Sequence, residues 1–424
     1  MKQKITSYAL YGCLSLAAIL TSTMPTAAAL TQFTFGTVGD HGSSASTTGT
    51  FRAAGSAQLN FFLSLGDLSY DPAGFGSEGT WCQYVKDNLN TGAGYATGNS
   101  YGEQYPFEII AGNHESDQTQ GNGLIENFVA QSCLPNRLTI SESSNLGTNP
   151  SSIGNYAKEY YFDYPQGNPL ARFIMASPGQ NFQYGGAYTY TVGNARYQWL
   201  SNTIDAARAA GIKWVIVANH KNYISTGAKS NELGPDYFNL LVSKKVDLVL
   251  EGHDHTYQRS KQFAFGTGCT TIATGTADLD CVVDDGSDNM YSKNAGPVLT
   301  IAGNGGKGFY STSLSDGEAP YFANVMNDTS QTAGYVKITI NARTLSATLL
   351  RGGGASFTDS YTIRDQNMSE DILSDGVVNV RDFSVLSANY GLSGATIKNA
   401  RADITGDGTV NLADFSKLAL AYGS

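Results

Sequence analysis

The chain has 424 residues, among them 48 glycines and 25 tyrosines, and a formal net charge of -10 at pH 7. This length is sufficient for one large domain and one small domain. The acidic balance and the lack of any basic block argue against nucleic acid as a partner. The glycine and tyrosine content indicates many turns and a β-rich structure, which excludes a coiled coil.

Residues 1–29 have the features of a secretory signal peptide. Two lysines, Lys2 and Lys4, precede a short apolar segment at residues 8–20, and three alanines ending at Ala29 follow it. We expect cleavage near Ala29 and a secreted protein, in the periplasm or outside the cell. The apolar segment is too short to span a bilayer, and no other segment is apolar enough over a sufficient length.

Short apolar segments with β-branched and aromatic residues recur through the first three quarters of the chain, and each ends in a polar turn. They read QFTFGTVGDHG (32–42), LNFFLSLGDLSY (59–70), PFEIIAGNHE (106–115), KWVIVANHKNY (213–223), VDLVLEGHDHTY (246–257) and GPVLTIAGNGG (296–306). Helical patterns lie at residues 196–211, with Gly211 as the expected C-terminal stop, and at residues 236–245. Strands that alternate with helices predict an α/β sandwich.

The composition changes at about residue 365, where a polar linker begins. A unit then appears twice, as DGVVNVRDFSVLSANYG from Asp375 and as DGTVNLADFSKLALAYG from Asp407, with a period of 32 residues. Beyond the signal peptide we therefore divide the chain into three segments: a large domain at 30–364, a linker at 365–370 and a small repeat domain at 371–424.

After cleavage four cysteines remain, and an even number in an exported protein predicts two disulfide bonds. Three pairings are possible. We favour Cys82–Cys133 and Cys269–Cys281, because the second pair closes a compact loop rich in glycine and aspartate. None of the four lies in a C-x-x-C motif, which argues against a thiolate metal site.

Five of the predicted strands end in one pattern: apolar residues, a small turn residue, and then side chains that commonly bind metals. These side chains are Asp40, His41, Asp67, Tyr70, Asn113, His114, His220, His253 and His255, which include all five histidines of the chain. Because the carboxyl ends of strands in an open α/β sheet meet at one edge, we expect these side chains to converge. Carboxylate, amide and imidazole ligands suit Fe, Mn and Zn, and a two-metal site of this kind can clamp a phosphoryl group.

In order and spacing, the five motifs resemble those of the calcineurin-like metallophosphoesterases, and within them the purple acid phosphatases, over roughly residues 34–310. Most of that superfamily has histidine two residues after the first aspartate, whereas the purple acid branch has glycine there and tyrosine three residues after the second aspartate. Gly42 and Tyr70 match that branch, and Tyr257 and Arg259 add to the similarity. The resemblance implies an α/β fold, a four-layer αββα sandwich.

The resemblance also implies two metal ions that share one bridging aspartate. It assigns the first metal to Asp40, Asp67, Tyr70 and His255, and the second to Asp67, Asn113, His220 and His253. A tyrosinate ligand favours ferric iron, so the dinuclear centre implied is Fe(III) with Fe, Zn or Mn. His114 is the implied catalytic residue, which contacts the phosphate or protonates the leaving oxygen.

Each of these residues also has a structural interpretation. Tyr70 can be a packed strand-end tyrosine, Asn113 can favour a left-handed turn, and His114 and Glu115 can form a surface pair. Asp40 and Asp67 can cap turns, although this is a poor explanation for both at once.

The substrate contacts are less well defined by the sequence. Several members of the family carry further histidines after the fourth motif, but the segment KNYISTGAKSNELG (221–234) has none. Lys221, Tyr223 and Lys229 are the candidates to take their place. His41 is expected to face the metals or the substrate rim.

The function implied is a secreted two-metal phosphatase that hydrolyses phosphate monoesters by attack of a metal-bound hydroxide. A phosphodiesterase or nucleotide hydrolase on the same site is one alternative. A catalytically silent binding protein, displayed by its C-terminal domain, is an alternative of another class.

The C-terminal repeat resembles a dockerin type I module, in which paired loop–helix units bind calcium. The second copy has oxygen ligands at positions 1, 3, 5, 7, 9 and 12 of a calcium loop: Asp403, Thr405, Asp407, Thr409, Asn411 and Asp414. The first copy offers Asp371, Asp375, Val377, Asn379 and Asp382. Leu373 at its position 3 removes one ligand, so we expect weaker calcium binding there.

Dockerins dock on cohesins, so the resemblance implies a cohesin-like protein or a cell-surface scaffold as the partner. At loop positions 10 and 11 this chain has Val380-Arg381 and Leu412-Ala413. These residues do not resemble the hydroxyl pairs of well-known cohesin binders, so the identity of the partner stays open.

Overall fold

The structure, a computed structural model, describes residues 30–70, 78–89, 106–116, 124–130, 138–143, 155–365, 369–373 and 378–422. The predicted signal peptide lies outside these residues. Within the described ranges, no helix is both long enough and apolar enough to cross a membrane.

Two β-sheets form the centre of the large domain. The first sheet has seven strands in the spatial order β13 (Met290–Ser292), β18 (Ser360–Arg364), β17 (Thr344–Gly354), β16 (Thr332–Asn341), β1 (Gln32–Val38), β2 (Phe61–Ser64) and β3 (Phe107–Ile109). The second sheet has nine strands, in the order β12 (Val282–Asp284), β11 (Tyr257–Phe263), β14 (Val298–Ala302), β10 (Leu248–Glu251), β9 (Trp214–Asn219), β6 (Ala171–Met175), β5 (Tyr160–Tyr164) and β4 (Ser141–Glu142), with β15 (Phe322–Val325) paired to β11. Strands β7 (Asn181–Phe182) and β8 (Gly186–Ala187) form a short hairpin.

The central strands of both sheets are parallel. In the first sheet β1, β2 and β3 run in one direction, and in the second sheet β6, β9, β10 and β14 do so. The turns that follow these strands therefore collect at the carboxyl edge of each sheet, where ligands bind in folds of this kind.

Helices accompany the two sheets: α1 (Ala45–Gly55), α2 (Glu78–Leu89), α3 (Asn113–Ser116), α4 (Ile125–Ala130), α5 (Ala195–Ala209) and α6 (Pro235–Ser243). Helix α1 packs on β16 and β17, and helix α5 packs on β6 and β9. Both helical patterns found in the sequence form helices. Gly211 lies just past the end of α5 with φ +74°, as its role as a stop signal requires.

An aromatic layer fills the space between the sheets. Phe35 and Phe61 of the first sheet stack with ring centroids 5.0 Å apart, and Phe173 of the second sheet meets both rings edge-on at 5.0 and 5.2 Å. All three side chains are fully buried, and such aromatic pairs add to the free energy gained by burial alone. The packing of two sheets with helices outside them confirms the predicted αββα fold.

A buried carboxylate also joins the sheets. Asp359, just before β18, accepts hydrogen bonds from Tyr257 Oη (2.7 Å), Arg259 Nε (2.8 Å) and Asn324 Nδ2 (2.9 Å), which belong to the second sheet. Tyr257 and Arg259, which follow the last histidine motif in the sequence, therefore have a structural role.

One of the two favoured disulfides is confirmed. Cys269 and Cys281, 12 residues apart in the chain, are bonded to each other. Cys82 is also disulfide-bonded, whereas its predicted partner Cys133 lies outside the described residues.

The C-terminal repeat has its own small core around helices α7 (Val380–Asn389) and α8 (Leu412–Leu420). This core contains Ile372, Val378, Leu386, Ala402, Ile404, Val410, Leu418 and Ala421. Asn379 and Asn411 cap the two helices through capping boxes with Asp382 and Asp414. The 32-residue repeat of the sequence is therefore a repeat of structure.

We expect the substitution Asp359→Ala to lower the free energy of unfolding by about 3–5 kcal/mol, because it leaves the Arg259 guanidinium buried without its carboxylate. Denaturant unfolding of both proteins measures the difference. The matched control is Asp328→Ala, whose carboxylate is exposed and whose loss should cost less than about 0.5 kcal/mol. Equal stability of the two variants would contradict the role of Asp359.

Candidate metal centre

The turns after β1, β2, β3, β9 and β10 meet at one point, where the carboxyl edges of the two sheets face each other. The clearest link between them is the hydrogen bond from the His253 amide to Asp40 Oδ2, at 2.7 Å. It connects the turn after β10 of the second sheet to the turn after β1 of the first. Seven predicted ligands lie in this region, and we refer to them as the ligand cluster: Asp40, Asp67, Tyr70, Asn113, His220, His253 and His255.

Four residues of the ligand cluster have left-handed backbone conformations. The φ angles are +61° at Asp40, +51° at Asp67, +52° at Tyr70 and +67° at His253. Residues other than glycine rarely adopt such angles, and the cost is accepted mainly at functional sites, where the surrounding structure enforces it. These conformations turn the side chains toward one another.

Tyr70 lies at the centre of the first half of the ligand cluster. Its Oη is 2.7 Å from Asp40 Oδ1, 2.7 Å from Asp67 Oδ2 and 2.8 Å from His255 Nε2. Burial and the two carboxylates raise the pKa of Tyr70 well above its usual value. A nearby cation would favour the tyrosinate form instead.

His220 lies at the centre of the second half. Its Nδ1 is 2.7 Å from the Leu65 carbonyl, which can only accept a hydrogen bond, so Nδ1 carries the proton. Its Nε2 then faces Asn113 Oδ1 at 3.2 Å and Asp67 Oδ1 at 3.3 Å. Burial opposes charge on the ring, but the carboxylate of Asp67 outweighs it and raises the pKa of His220 to about 9. A metal ion would take the place of that second proton.

The donor set fits two cations. One ligand atom from each of Asp40, Asp67 and His255, and one from each of Asp67, His220 and His253, lie within 4.8 Å of the others in their group. Asp67 belongs to both groups. In the described part of the chain, no lysine or arginine forms an ion pair with Asp40 or Asp67, although both are buried. Buried carboxylates need such compensation, and two metal ions would supply it.

His114 lies at the open side of the ligand cluster. About 22% of its side chain is exposed, and its Nε2 is 3.7 Å from Asp67 Oδ2. Its ring packs against Tyr70 with centroids 4.3 Å apart. Partial burial lowers the pKa of His114, with contributions from His220 and Lys307. The residue can therefore reach both solvent and a group held by the cluster.

Glu115 is buried and connects two turns of the site, so it is not half of a surface pair. Its carboxylate accepts hydrogen bonds from the amides of Asp67 (3.0 Å), Leu68 (2.7 Å) and Gly112 (3.0 Å). In return, Asp67 Oδ1 accepts from the His114 amide at 3.0 Å. The turns after β2 and β3 thus hold each other, and sequence spacing alone did not reveal this arrangement.

Two of the predicted substrate contacts do not lie at the rim. His41 is fully buried, stacks on Phe51 with centroids 5.0 Å apart, and its Nε2 is 2.8 Å from Ser64 Oγ. Tyr223 is also buried, and its hydroxyl donates to the Ile272 carbonyl at 2.7 Å. Both residues support the loops from within, because each points into the core from its turn.

The lysines near the ligand cluster differ in their pairing. Lys221 and Lys229 have their ammonium groups 3.2 and 3.9 Å from the Glu232 carboxylate. Glu232 Oε1 is also 3.0 Å from His253 Nε2. Lys307, which follows the glycine turn GNGG (303–306) after β14, has its ammonium 4.6 Å from the centroid of the Tyr70 ring. Neither Glu232 nor Lys307 belongs to a motif that we recognised in the sequence.

The second calcium loop has the expected turn. Gly408, at position 6, has φ +84°. Asp403 Oδ2 accepts from the Gly408 amide at 2.8 Å, and Asp414 Oδ1 accepts from the Thr405 amide at 2.8 Å. The first copy repeats the last bond, from the Leu373 amide to Asp382 Oδ1 at 3.0 Å.

Two predicted calcium ligands of the first copy, Asp375 and Val377, lie outside the described residues. Asp371 and Asp382 of that copy are both buried.

Comparisons with known proteins agree with this geometry. The family model described as calcineurin-like phosphoesterase matches residues 33–257, and the dockerin type I domain matches residues 369–420. Purple acid phosphatase 1 of Ipomoea batatas is 24% identical over 272 residues, which cover 61% of this chain and 50% of that protein. The protein named Fe(3+)-Zn(2+) purple acid phosphatase 12 of Arabidopsis thaliana is 24% identical over 275 residues, which cover 61% of this chain and 51% of that protein.

Among solved structures, a purple acid phosphatase from yellow lupin (Lupinus luteus) seeds superposes with a TM-score of 0.52 and 14% identity, over 79% of this chain and 54% of that one. This similarity concerns the fold. The chain spans about half the length of these two relatives. Because the family model covers more than half of the residues and includes all five strand-end motifs, the chain belongs to the calcineurin-like phosphoesterase family.

Proposed function

We propose that this protein is a metal-dependent phosphatase that hydrolyses phosphate monoesters. The observation that carries the proposal is the position of Tyr70 Oη, within 2.8 Å of Asp40, Asp67 and His255. A tyrosine beside two carboxylates and a histidine is a ligand set for a ferric ion. The second group of ligands, which shares Asp67, lies directly beside it.

The first ion would be held by Asp40, Asp67, Tyr70 and His255, and the second by Asp67, Asn113, His220 and His253. Two ions bound in this way would lower the pKa of a bound water and clamp a phosphoryl group for in-line attack. We propose Fe(III) for the first position, because phenolate is a ligand typical of ferric iron, and Fe, Zn or Mn for the second. The relative from Arabidopsis thaliana carries iron and zinc in its name.

Two residues beside the proposed metal ligands would have separate roles, one in positioning the ligands and one in proton transfer. Glu115 holds the turns that carry Asp67 and Asn113, and so keeps the spacing of the two ligand groups. His114, partly exposed and beside the ligand cluster, is the group that would donate a proton to the leaving oxygen of the ester.

We further propose that the C-terminal domain binds calcium and docks on a cohesin-like protein of a cell-surface scaffold, and that the predicted signal peptide directs secretion. The match to the dockerin domain supports the partner. Helices α7 and α8 also form an apolar groove of about 470 Å³, lined by Phe383, Leu386, Ser387, Tyr390, Leu412 and Phe415. Val380 and Leu412 at the helix starts are 60% and 64% exposed, so the complementary surface should be apolar.

The proposed activity predicts that metal-loaded protein hydrolyses a chromogenic phosphate monoester faster than the corresponding diester, with an absorption band of tyrosinate bound to iron. Asp67→Asn should lower turnover by more than about 100-fold, because Asp67 is the proposed ligand of both ions. Loss of such a ligand should lower activity more than loss of a residue that only hydrogen-bonds to a ligand. Asp285→Asn, at an exposed aspartate, is the matched control. A preference for the diester would indicate a phosphodiesterase, and metal binding without turnover of either ester would favour a binding protein.

Glu115→Gln should weaken metal binding about 10- to 100-fold, the range found for outer-shell partners of metal ligands. The amide cannot accept all three backbone hydrogen bonds, because its NH2 group faces amide donors. Metal affinity can be measured by titration of the metal-free protein, and circular dichroism establishes that the variant is folded. The matched control is Glu318→Gln, which alters a buried carboxylate outside the ligand cluster. Equal losses of metal affinity in the two variants would argue against a specific role of Glu115 in positioning the ligands.

Calorimetric titration with Ca²⁺ should resolve two sites of unequal affinity. The first loop should bind at least about 10-fold more weakly, because it lacks the ligand at position 3. Asp403→Ala should remove the tighter site, and Asp371→Ala should affect only the weaker one. Two sites of equal affinity in the wild-type protein would contradict the assignment.

A further inference from the structure

The ammonium of Lys307 lies at the mouth of the ligand cluster. Its Nζ is 4.6 Å from the centroid of the Tyr70 ring, and the residue is exposed to solvent. His114 packs against the same ring, with centroids 4.3 Å apart. Tyr70 thus contacts other residues of the ligand cluster through its hydroxyl group, while its ring contacts both Lys307 and His114.

The backbone around Lys307 is fixed to the ligand cluster. The Lys307 amide donates to the Asp40 carbonyl at 3.0 Å, and the Gly305 amide donates to the Gly39 carbonyl at 3.0 Å. Gly306 has φ +138°, and a Cβ there would lie 2.4 Å from the Thr47 amide nitrogen. The glycine turn therefore lets the chain pass close to the turn after β1 and to the start of α1, and it places Lys307 beside Asp40.

Lys307 also differs from the other lysines near the ligand cluster, because no carboxylate of the described residues pairs with its ammonium. Lys221 and Lys229 share the carboxylate of Glu232, whereas no ion pair joins Lys307 to any residue in the described ranges. A cation in this position attracts an anion that approaches the cluster from solvent.

We propose that Lys307 is a specificity-determining residue that makes the site prefer phosphate monoesters to diesters, an inference that rests on the proposed function. A monoester carries a charge near -2 above its second pKa of about 6, whereas a diester carries -1. The ammonium of Lys307 binds a non-bridging oxygen of the ester that the ligand cluster holds. Such a charged contact stabilises the dianion more than the monoanion.

The test compares three variants of the full chain. Lys307→Met removes the charge and keeps the apolar contact with the Tyr70 ring, whereas Lys307→Arg keeps the charge. The matched control is Lys213→Met, which removes one charge at an exposed lysine next to the amino end of β9, away from the carboxyl edge. Each variant is loaded with metal and assayed above pH 6 with a chromogenic monoester and its diester.

In Lys307→Met, kcat/KM for the monoester should fall by about 10-fold or more, and that for the diester by less than about 2-fold. The affinity for inorganic phosphate, measured by calorimetry, should fall with the monoester value. Lys307→Arg should recover most of both, and Lys213→Met should match the wild type.

Equal losses for both esters in Lys307→Met would overturn the inference, because they would indicate a general effect on Tyr70 or on folding. Unchanged preference and unchanged phosphate affinity would overturn it as well. If the wild-type protein hydrolyses neither ester, the proposed function and the inference both fail. If it hydrolyses the monoester and Lys307→Met keeps the same preference, only the inference fails.

Discussion

The arrangement of the site depends on the burial of two carboxylates, Asp40 and Asp67, at the edge where the two sheets meet. Two negative charges in that position are unfavourable unless cations or donors surround them. The chain supplies amide donors from His253 and His114 and gathers imidazoles and a phenol around the same point. The positions of the two carboxylates are fixed by three features. These are the positive φ angles at four residues, the hydrogen bonds that Glu115 accepts from two turns, and the close approach of the glycine turn.

Much of this arrangement could be predicted from the sequence. The parallel strands, helices α5 and α6, the Cys269–Cys281 disulfide and the C-terminal repeat follow from hydrophobic period, turn residues and spacing. Convergence of the five strand-end motifs follows from the rule that parallel strands share a carboxyl edge. These features are local, or repeat a pattern common to one fold, and a single sequence carries enough information for them.

The directions of individual loop side chains could not be predicted in this way. His41 follows Asp40 directly, yet it points into the core, because Asp40 has φ +61° and strand alternation no longer applies after it. Tyr223 and Glu115 are buried because distant segments, around Ile272 and around Asp67, provide their partners. Lys307 contacts Tyr70 across more than 200 residues of chain, which no spacing within a motif expresses.

The hydrogen bond between the His253 amide and Asp40 has a consequence for folding. Ligand groups that draw side chains from both sheets make ion binding and sheet packing parts of one equilibrium. If the proposed ions bind to the native chain alone, the free energy released on binding would add to the stability of the whole domain. Depletion of metal ions would therefore lower the free energy of unfolding of this protein. The fraction of folded chain would then depend on the concentration of metal ions around it.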